Sequence, residues 1–296
     1  MAGTKSKRSI GAFFYLAPSL AVLGMFMFWP LARTFYLSFF EWNMVKPVKK
    51  FVGLANYSEL LRSSLTWKVL GNTGLYVLIL LALNFAAPYV LSFVLSCAVK
   101  RGKWFYKSAY FMPSVISLVV GSIVYMWILN PISGPVALLA KRFGLTMPMW
   151  SKTEGLVIVV LSLVTSWKIF GYNFIVILGG VSGVSGEVIE AARLDGVPLW
   201  RIFTDIVLPM SSATGVYLFV MTIVQGVQYA FTPIRVLTQG GPNYASSNLV
   251  YQSYHEMFVV YRTGAGCALA VTTLAAFAFL LFLEFRFVEK KVYYEY

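Results

Sequence analysis

Charge is what this chain has least of. Asp, Glu, Lys and Arg make up 12% of its 296 residues, against roughly 25% in soluble domains. With 59% hydrophobic residues and a mean hydropathy of +0.74, a water-soluble globule is excluded and a membrane protein is implied. Cysteine is nearly absent. Cys97 and Cys267 both lie in or at the ends of apolar runs, which excludes a disulfide framework and marks them as small apolar filler. His255 stands alone, without the spacing that makes a metal site. No G-x-x-x-x-G-K-[ST] occurs: the glycine-rich GGVSGVSGE (179–187) ends in Glu187 where that motif needs lysine, so this chain cannot hydrolyse ATP alone. There is no nucleophile elbow, no H-E-x-x-H and no pair of intramembrane carboxylates, so no enzyme chemistry is expected. Buried charge is equally scarce, with Lys168 alone deep in an apolar run and Glu284 at the end of the last. That scarcity weakens an ion-coupled secondary carrier of a small polar solute, which stays open as the alternative reading.

Long uncharged runs are what the sequence does have. Six of them reach the ~20 residues that cross a bilayer, and they predict spans at about 10–32, 69–99, 109–129, 155–178, 210–232 and 263–285 of a single domain, 1–296. The first has a basic prefix (Lys5, Lys7, Arg8), but is too long for a signal sequence and is followed by no cleavage pattern. Six spans put both termini on one side. With the termini inside, the inner segments hold 12 Lys and Arg and the outer segments 11, but the outer loops are much longer and KRGKWFYK (100–107) is a compact basic turn. The density of positive charge therefore places both termini in the cytoplasm. The net charge of +13 comes without a basic face or basic-aromatic module, so it points to loops beside anionic lipid and not to nucleic acid.

One stretch between the fourth and fifth spans reads differently. EAARLDGVPLWRIFTDIVLP (190–209) is amphipathic and carries five charges. Its pattern predicts a helix over 187–194 that ends at Gly196, with Pro198 in the first turn of a second helix. Leu199, Ile202, Phe203 and Ile206 then form one apolar stripe. Read alone, this is a helix pair lying in the headgroups or projecting beyond them. The stretch also resembles the EAA loop of binding-protein-dependent ABC importer permeases: Glu190, Ala191, Ala192, Asp195, Gly196, Phe203, Ile206, Leu208 and Pro209 fall on the motif positions. It departs from the motif at Val197, where alanine is usual, and at Ala213, where proline is often found. FVGLANYSELL (51–61), LTQGGPNYASSNLVYQSYHEMF (237–258) and FRFVEKKVYY (285–294) resemble segments of the carbohydrate and glycerol-phosphate branch, the subunit type of the maltose F and glycerol-phosphate A permeases. The chain has no room for the large extra outer domain of the maltose-type subunit.

The resemblance, which covers about residues 11–294, implies an all-α membrane protein: six transmembrane helices in the type I ABC importer permease fold, with a cytoplasmic coupling helix in the loop 187–209. It implies that Glu190, Ala191, Ala192, Asp195, Gly196 and Phe203 couple to a separate ATPase. It also implies a prokaryotic inner-membrane assembly with a second homologous permease, two ATPase subunits and an extracytoplasmic solute-binding protein. ATP and Mg would sit on the partner ATPase, with no cofactor on this chain. Polar side chains on the fifth span, Thr222, Gln225, Gln228, Tyr229 and Thr232, recur on one face and are expected to face protein or a wet cavity. With Tyr172 and Asn173 on the fourth span, Gln225, Gln228 and Tyr229 are the expected contacts of a sugar-type solute. Lys168 is expected to be structural, since SWKIFGYN (166–173) resembles a family segment also found in carriers of neutral sugars.

The topology is testable by labelling. Cysteines placed at Lys103 and Lys291 should react only from the cytoplasm and one at Lys49 only from outside, whereas the reverse pattern would overturn the assignment.

Overall fold

The computed structural model describes residues 15–97, 99 and 101–287. It is helical apart from one two-stranded hairpin. The elements in order are α1 (Tyr15–Leu37), β1 (Phe40–Glu41), β2 (Lys50–Phe51), α2 (Ala55–Arg62), α3 (Ser64–Cys97), α4 (Lys103–Val115) and α5 (Leu118–Ile128). There follow α6 (Pro135–Arg142), α7 (Leu156–Ser182), α8 (Gly186–Leu194), α9 (199–210), α10 (Ser212–Thr238), α11 (Leu249–Phe258) and α12 (Thr263–Phe287). Among the described residues, 15–63 with Ser253–Leu274 form one compact unit and Ser64–Gln252 with 275–287 another. The basic prefix and most of the 285–294 tail lie outside the described residues.

Helices α1, α3, α7, α10 and α12 are each long and apolar enough to cross a membrane. The expected third span is corrected. Instead of one helix at 109–129 there are two, α4 and α5, bent 98° from each other. Ile116 and Ser117 are extended between them, and Pro113, just before the break, has no N–H to continue the helix. The carbonyls freed at the bend are covered from α7: the Lys168 ammonium donates to Ser114 O and to Ile116 O at 2.7 Å, and Ser114 Oγ donates back to Lys168 O at 3.1 Å. A lysine at the end of a helix also opposes the negative end of its dipole.

The larger unit is organised around α7. This helix packs against α4, α10 and the second half of α3, and it buries Ile158, Leu161, Phe174 and Ile177 completely or nearly so. Apolar burial does not hold helices together in lipid, so close packing and interhelical hydrogen bonds must set the register. Both are present. At Gly171 a Cβ would overlap Tyr110 O, so the backbones of α4 and α7 touch directly there. A Cβ at Gly226 of α10 would come within 2.8 Å of Leu80 of α3. Among these spans the Asn84 amide donates to Ser166 Oγ at 2.8 Å. The Asn173 amide donates to Asn84 O at 2.7 Å and to Thr222 Oγ1 at 3.0 Å. Asn84 lies in a π turn, Ala82–Ala86, within α3. Such a turn breaks the i→i−4 ladder, which accounts for a backbone carbonyl accepting a side chain from another helix.

In the smaller unit, β1 and β2 pair antiparallel with Phe40 opposite Phe51 and Glu41 opposite Lys50. The buried Asn56 amide of α2 reaches back to Ser38 O at 2.8 Å and Phe40 O at 3.1 Å. The start of α12 lies against the hairpin: Thr263 N–H donates to Trp42 O at 2.9 Å, and a Cβ on Gly264 would overlap Phe40 O.

Gly171→Val should separate α4 from α7 and destabilise the chain by roughly 1–3 kcal/mol, the usual cost of overpacking. A thermal melt in lipid nanodiscs reads this as a lowered midpoint; an unchanged midpoint would refute the close backbone contact.

Candidate functional site

The 187–209 loop is built from local signals that the backbone follows. Ser185 caps α8, its Oγ accepting from Glu187 N–H at 3.3 Å. The helix ends in a Schellman motif: Gly196 has φ +74, its N–H donates to Arg193 O at 3.1 Å, and Val197 N–H donates to Ala192 O at 3.0 Å. Pro198, expected in the first turn of the next helix, is instead its N-cap, extended at ψ 147. The apolar stripe is also corrected. A π turn at Ile202–Val207 adds a residue to the turn, so the fully buried positions are Ile202 and Val207, while Leu199 is exposed. Ile202 and Val207 join Tyr89, Phe93, Ile177, Val181, Ala192 and Leu218 in one cluster that roots the loop on α3, α7 and α10.

This rooting divides the expected coupling residues. Glu190, Ala191, Asp195 and Gly196 are exposed. Ala192, expected on the docking face with them, is turned into the chain's own core. Phe203 is half-buried, with its ring 5.1 Å from Phe93 and 6.3 Å from Tyr89, which makes it an anchor of the loop. Arg193 Nη2 donates to Cys97 O at 3.1 Å and adds a polar tie to the end of α3. Exposed apolar side chains were missed: Leu194 is 88% exposed and Trp200 61%. The only signal for them was their position off the apolar stripe.

The polar stripe also divides. Asn173 is fully buried, with its amide committed to Asn84 and Thr222. It was expected as a solute contact; here its amide ties α7 to α3 and α10. Gln225 is half-buried, whereas Tyr172, Gln228 and Tyr229 are exposed. Tyr172 stands beside the exposed Tyr217 of α10, a residue the sequence reading passed over. Tyr217 lies eleven residues before Gln228, three helical turns away on the same face. Lys168 spends its protons on the carbonyls at the α4–α5 bend, which is the structural role expected of it.

Comparison with known proteins fits this arrangement. Residues 93–292 match the family described as binding-protein-dependent transport system inner membrane component. The chain belongs to this family. It is 30% identical over 283 residues to the sn-glycerol-3-phosphate transport system permease protein UgpA of Brucella abortus biovar 1 (strain 9-941), covering 95% of this chain and 96% of that one. It is 29% identical over 286 residues to the probable ABC transporter permease protein YurN of Bacillus subtilis (strain 168), covering 95% and 97%. Its fold is shared by a bacterial alginate ABC transporter solved in complex with an alginate pentasaccharide-bound periplasmic protein. The TM-score is 0.80 at 18% identity, over 96% of this chain and 95% of that one.

Asn173→Ala should lower the thermal midpoint, with a loss of about 1–2 kcal/mol for two buried hydrogen bonds. It should leave the ranking of competing solutes in an uptake assay unchanged; an altered ranking would return Asn173 to the solute site.

Proposed function

We propose that this ABC importer permease moves a sugar, or a related polyol or glycerol phosphate, across the cytoplasmic membrane with ATP hydrolysed by separate partner subunits. The observation that carries the reading is the exposed α8–α9 loop, rooted in the core of the same spans that bear the polar face of α10. Glu190 and Asp195 are exposed carboxylates suited to basic groups on an ATPase, and Ala191 and Gly196 allow close approach. Leu194 and Trp200 supply an outward apolar knob beside them. A push on this loop is passed to α3, α7 and α10 through Ile202, Val207 and Ala192. ATP binding then needs only to favour one of two arrangements of the spans.

Solute contacts from this subunit are assigned to Tyr172, Tyr217, Gln225, Gln228 and Tyr229. Amides exchange hydrogen bonds with hydroxyls, and the tyrosine rings offer faces to a sugar. A second, homologous permease completes the pathway, an extracytoplasmic binding protein delivers the solute, and both termini are cytoplasmic. UgpA names the glycerol-phosphate end of the range of solutes and the alginate transporter an acidic polysaccharide. No observation favours the ion-coupled alternative.

Asp195→Lys, which places a cation opposite the same basic groups, and Gly196→Pro, which forbids the positive φ, should each abolish uptake while the protein still reaches the membrane. Full uptake by either variant at wild-type expression sinks the coupling role.

A further inference from the structure

The smaller unit holds a cavity of about 560 Å³ that shares no residue with the polar face of α10. Its size is that of a small-molecule site, for which ~300–1,000 Å³ is usual. Its walls come from the hairpin, α2 and the start of α12, with Trp42, Glu41, Asn56, Glu59, Tyr261 and Arg262 among the lining.

The rim is fixed in place. The Trp42 indole N–H donates to Lys46 O at 2.7 Å, and the Lys49 ammonium sits 4.6 Å from its ring centroid. Asn43 Oδ1 accepts the N–H groups of Val45 and Lys46 at 3.2 and 2.9 Å. Two side chains beside the cavity hold left-handed backbone, Met44 at φ 65 and Tyr261 at φ 60. Such conformations are costly for residues other than glycine, persist only where the surroundings enforce them, and gather at functional sites.

The cavity wall presents donors and acceptors in balance. Arg262 is ion-paired with Glu59 and lies 3.9 Å from Glu256, and Lys50 lies 3.8 Å from Glu41. Asn56 is 8% exposed, and its hydrogen bonds to Ser38 O and Phe40 O both use the amide nitrogen, so its Oδ1 is left as an acceptor on the wall. The first-turn N–H groups at Gly264 and Ala265 have no intrahelical acceptor and add donors. Two aromatic rings, Trp42 and Tyr261, complete the lining. A hydroxyl both donates and accepts, so a polyhydroxylated molecule satisfies every group here. The cations Lys50 and Arg262 face the carboxylates Glu41 and Glu59, with Lys46 as a third cation in the lining, so an anion would have to compete with those carboxylates, and an apolar segment would strip water from charges and return nothing.

We propose that this cavity binds a neutral sugar or polyol, as a site additional to the membrane pathway. It lies between the first and second spans in sequence and before the last, which is the extracytoplasmic side in the orientation proposed above. Hydroxyls bridge Glu41, Arg262 and Asn56 Oδ1 while an apolar sugar face lies on Trp42 or Tyr261.

Saturation-transfer NMR on the full chain in lipid nanodiscs, free of ATPase and binding protein, tests this with glucose, maltose and glycerol-3-phosphate as probes. The two neutral sugars should show transfer. Tyr261→Asn, which keeps a residue tolerant of left-handed backbone, should weaken it about tenfold, as truncating an aromatic anchor does. Glu41→Gln should weaken it too; this side chain is 71% exposed and its ion pair is long, so the fold does not depend on it. Gln228→Ala, at a contact assigned to the membrane pathway, is the reference for that site, and the loss caused by Tyr261→Asn should be of the same size in its presence. The proposal is overturned by absence of transfer from either sugar, by preference for glycerol-3-phosphate, or by loss in Gln228→Ala with retention in Tyr261→Asn. Because no ATPase is present, failure of the coupling function leaves the outcome of this test untouched.

Discussion

The amide of Asn173 is the contact on which the larger unit depends. A span surrounded by lipid gains nothing by pressing its leucines against a neighbour, so register has to come from groups that lipid cannot satisfy. Asn173 draws α3 and α10 to α7 at one level, and Asn84 adds a second tie to Ser166 on the same helix. The π turn at Ala82–Ala86 is part of this arrangement, because it frees the carbonyl that Asn173 reaches. Once α3, α7 and α10 are in register, two further features follow. The loop after α7 finds a ready-made floor for Ile202 and Val207, and the opposite side of α10 carries Tyr217 and Gln228 outward.

The parts legible in the sequence were those written in local chemistry. A glycine that ends a helix and a proline after it outlined the loop after α7, and Gly196 does take the left-handed turn, whereas the Ser185 cap on α8 carried no motif that announced it. Spans were legible from length and apolarity alone. What was not legible depended on departures from the 3.6-residue period. The π turn at Ile202–Val207 moved the buried positions from the expected stripe and left Leu199 outside. Likewise, Tyr172 and Asn173 are neighbours in sequence with similar polarity. Only the rotation of α7 against α3 and α10 decides that one is exposed and the other sealed.

Charge tells the same story at two depths. Lys168 looked anomalous in an apolar run because its partners are backbone carbonyls, and these become available only when the third span breaks. At the edge of the smaller unit, Arg262 is held further above its ordinary basicity, chiefly by hydrogen bonding to Glu59. Both cations are structural in the sense that each closes a gap between elements. Their partners lie 52 and 54 positions away in one case and 203 in the other, which no local pattern could have revealed.

At Gly171 nothing stands between the backbones of α4 and α7, and a short distance along Lys168 and Ser114 hold each other by reciprocal hydrogen bonds. A lever needs one stiff arm and one soft joint. The paired helices are the stiff arm, since sliding them would break a steric fit and two polar links together. The joint is then the extended pair Ile116 and Ser117, where the α4 ladder ends in the bond from Ile116 N–H to Pro113 O at 3.1 Å and the chain bends by 98°. Any change of shape along this pair of helices would come as a rotation about those two residues, with α4 held to α7 by the backbone contact at Gly171.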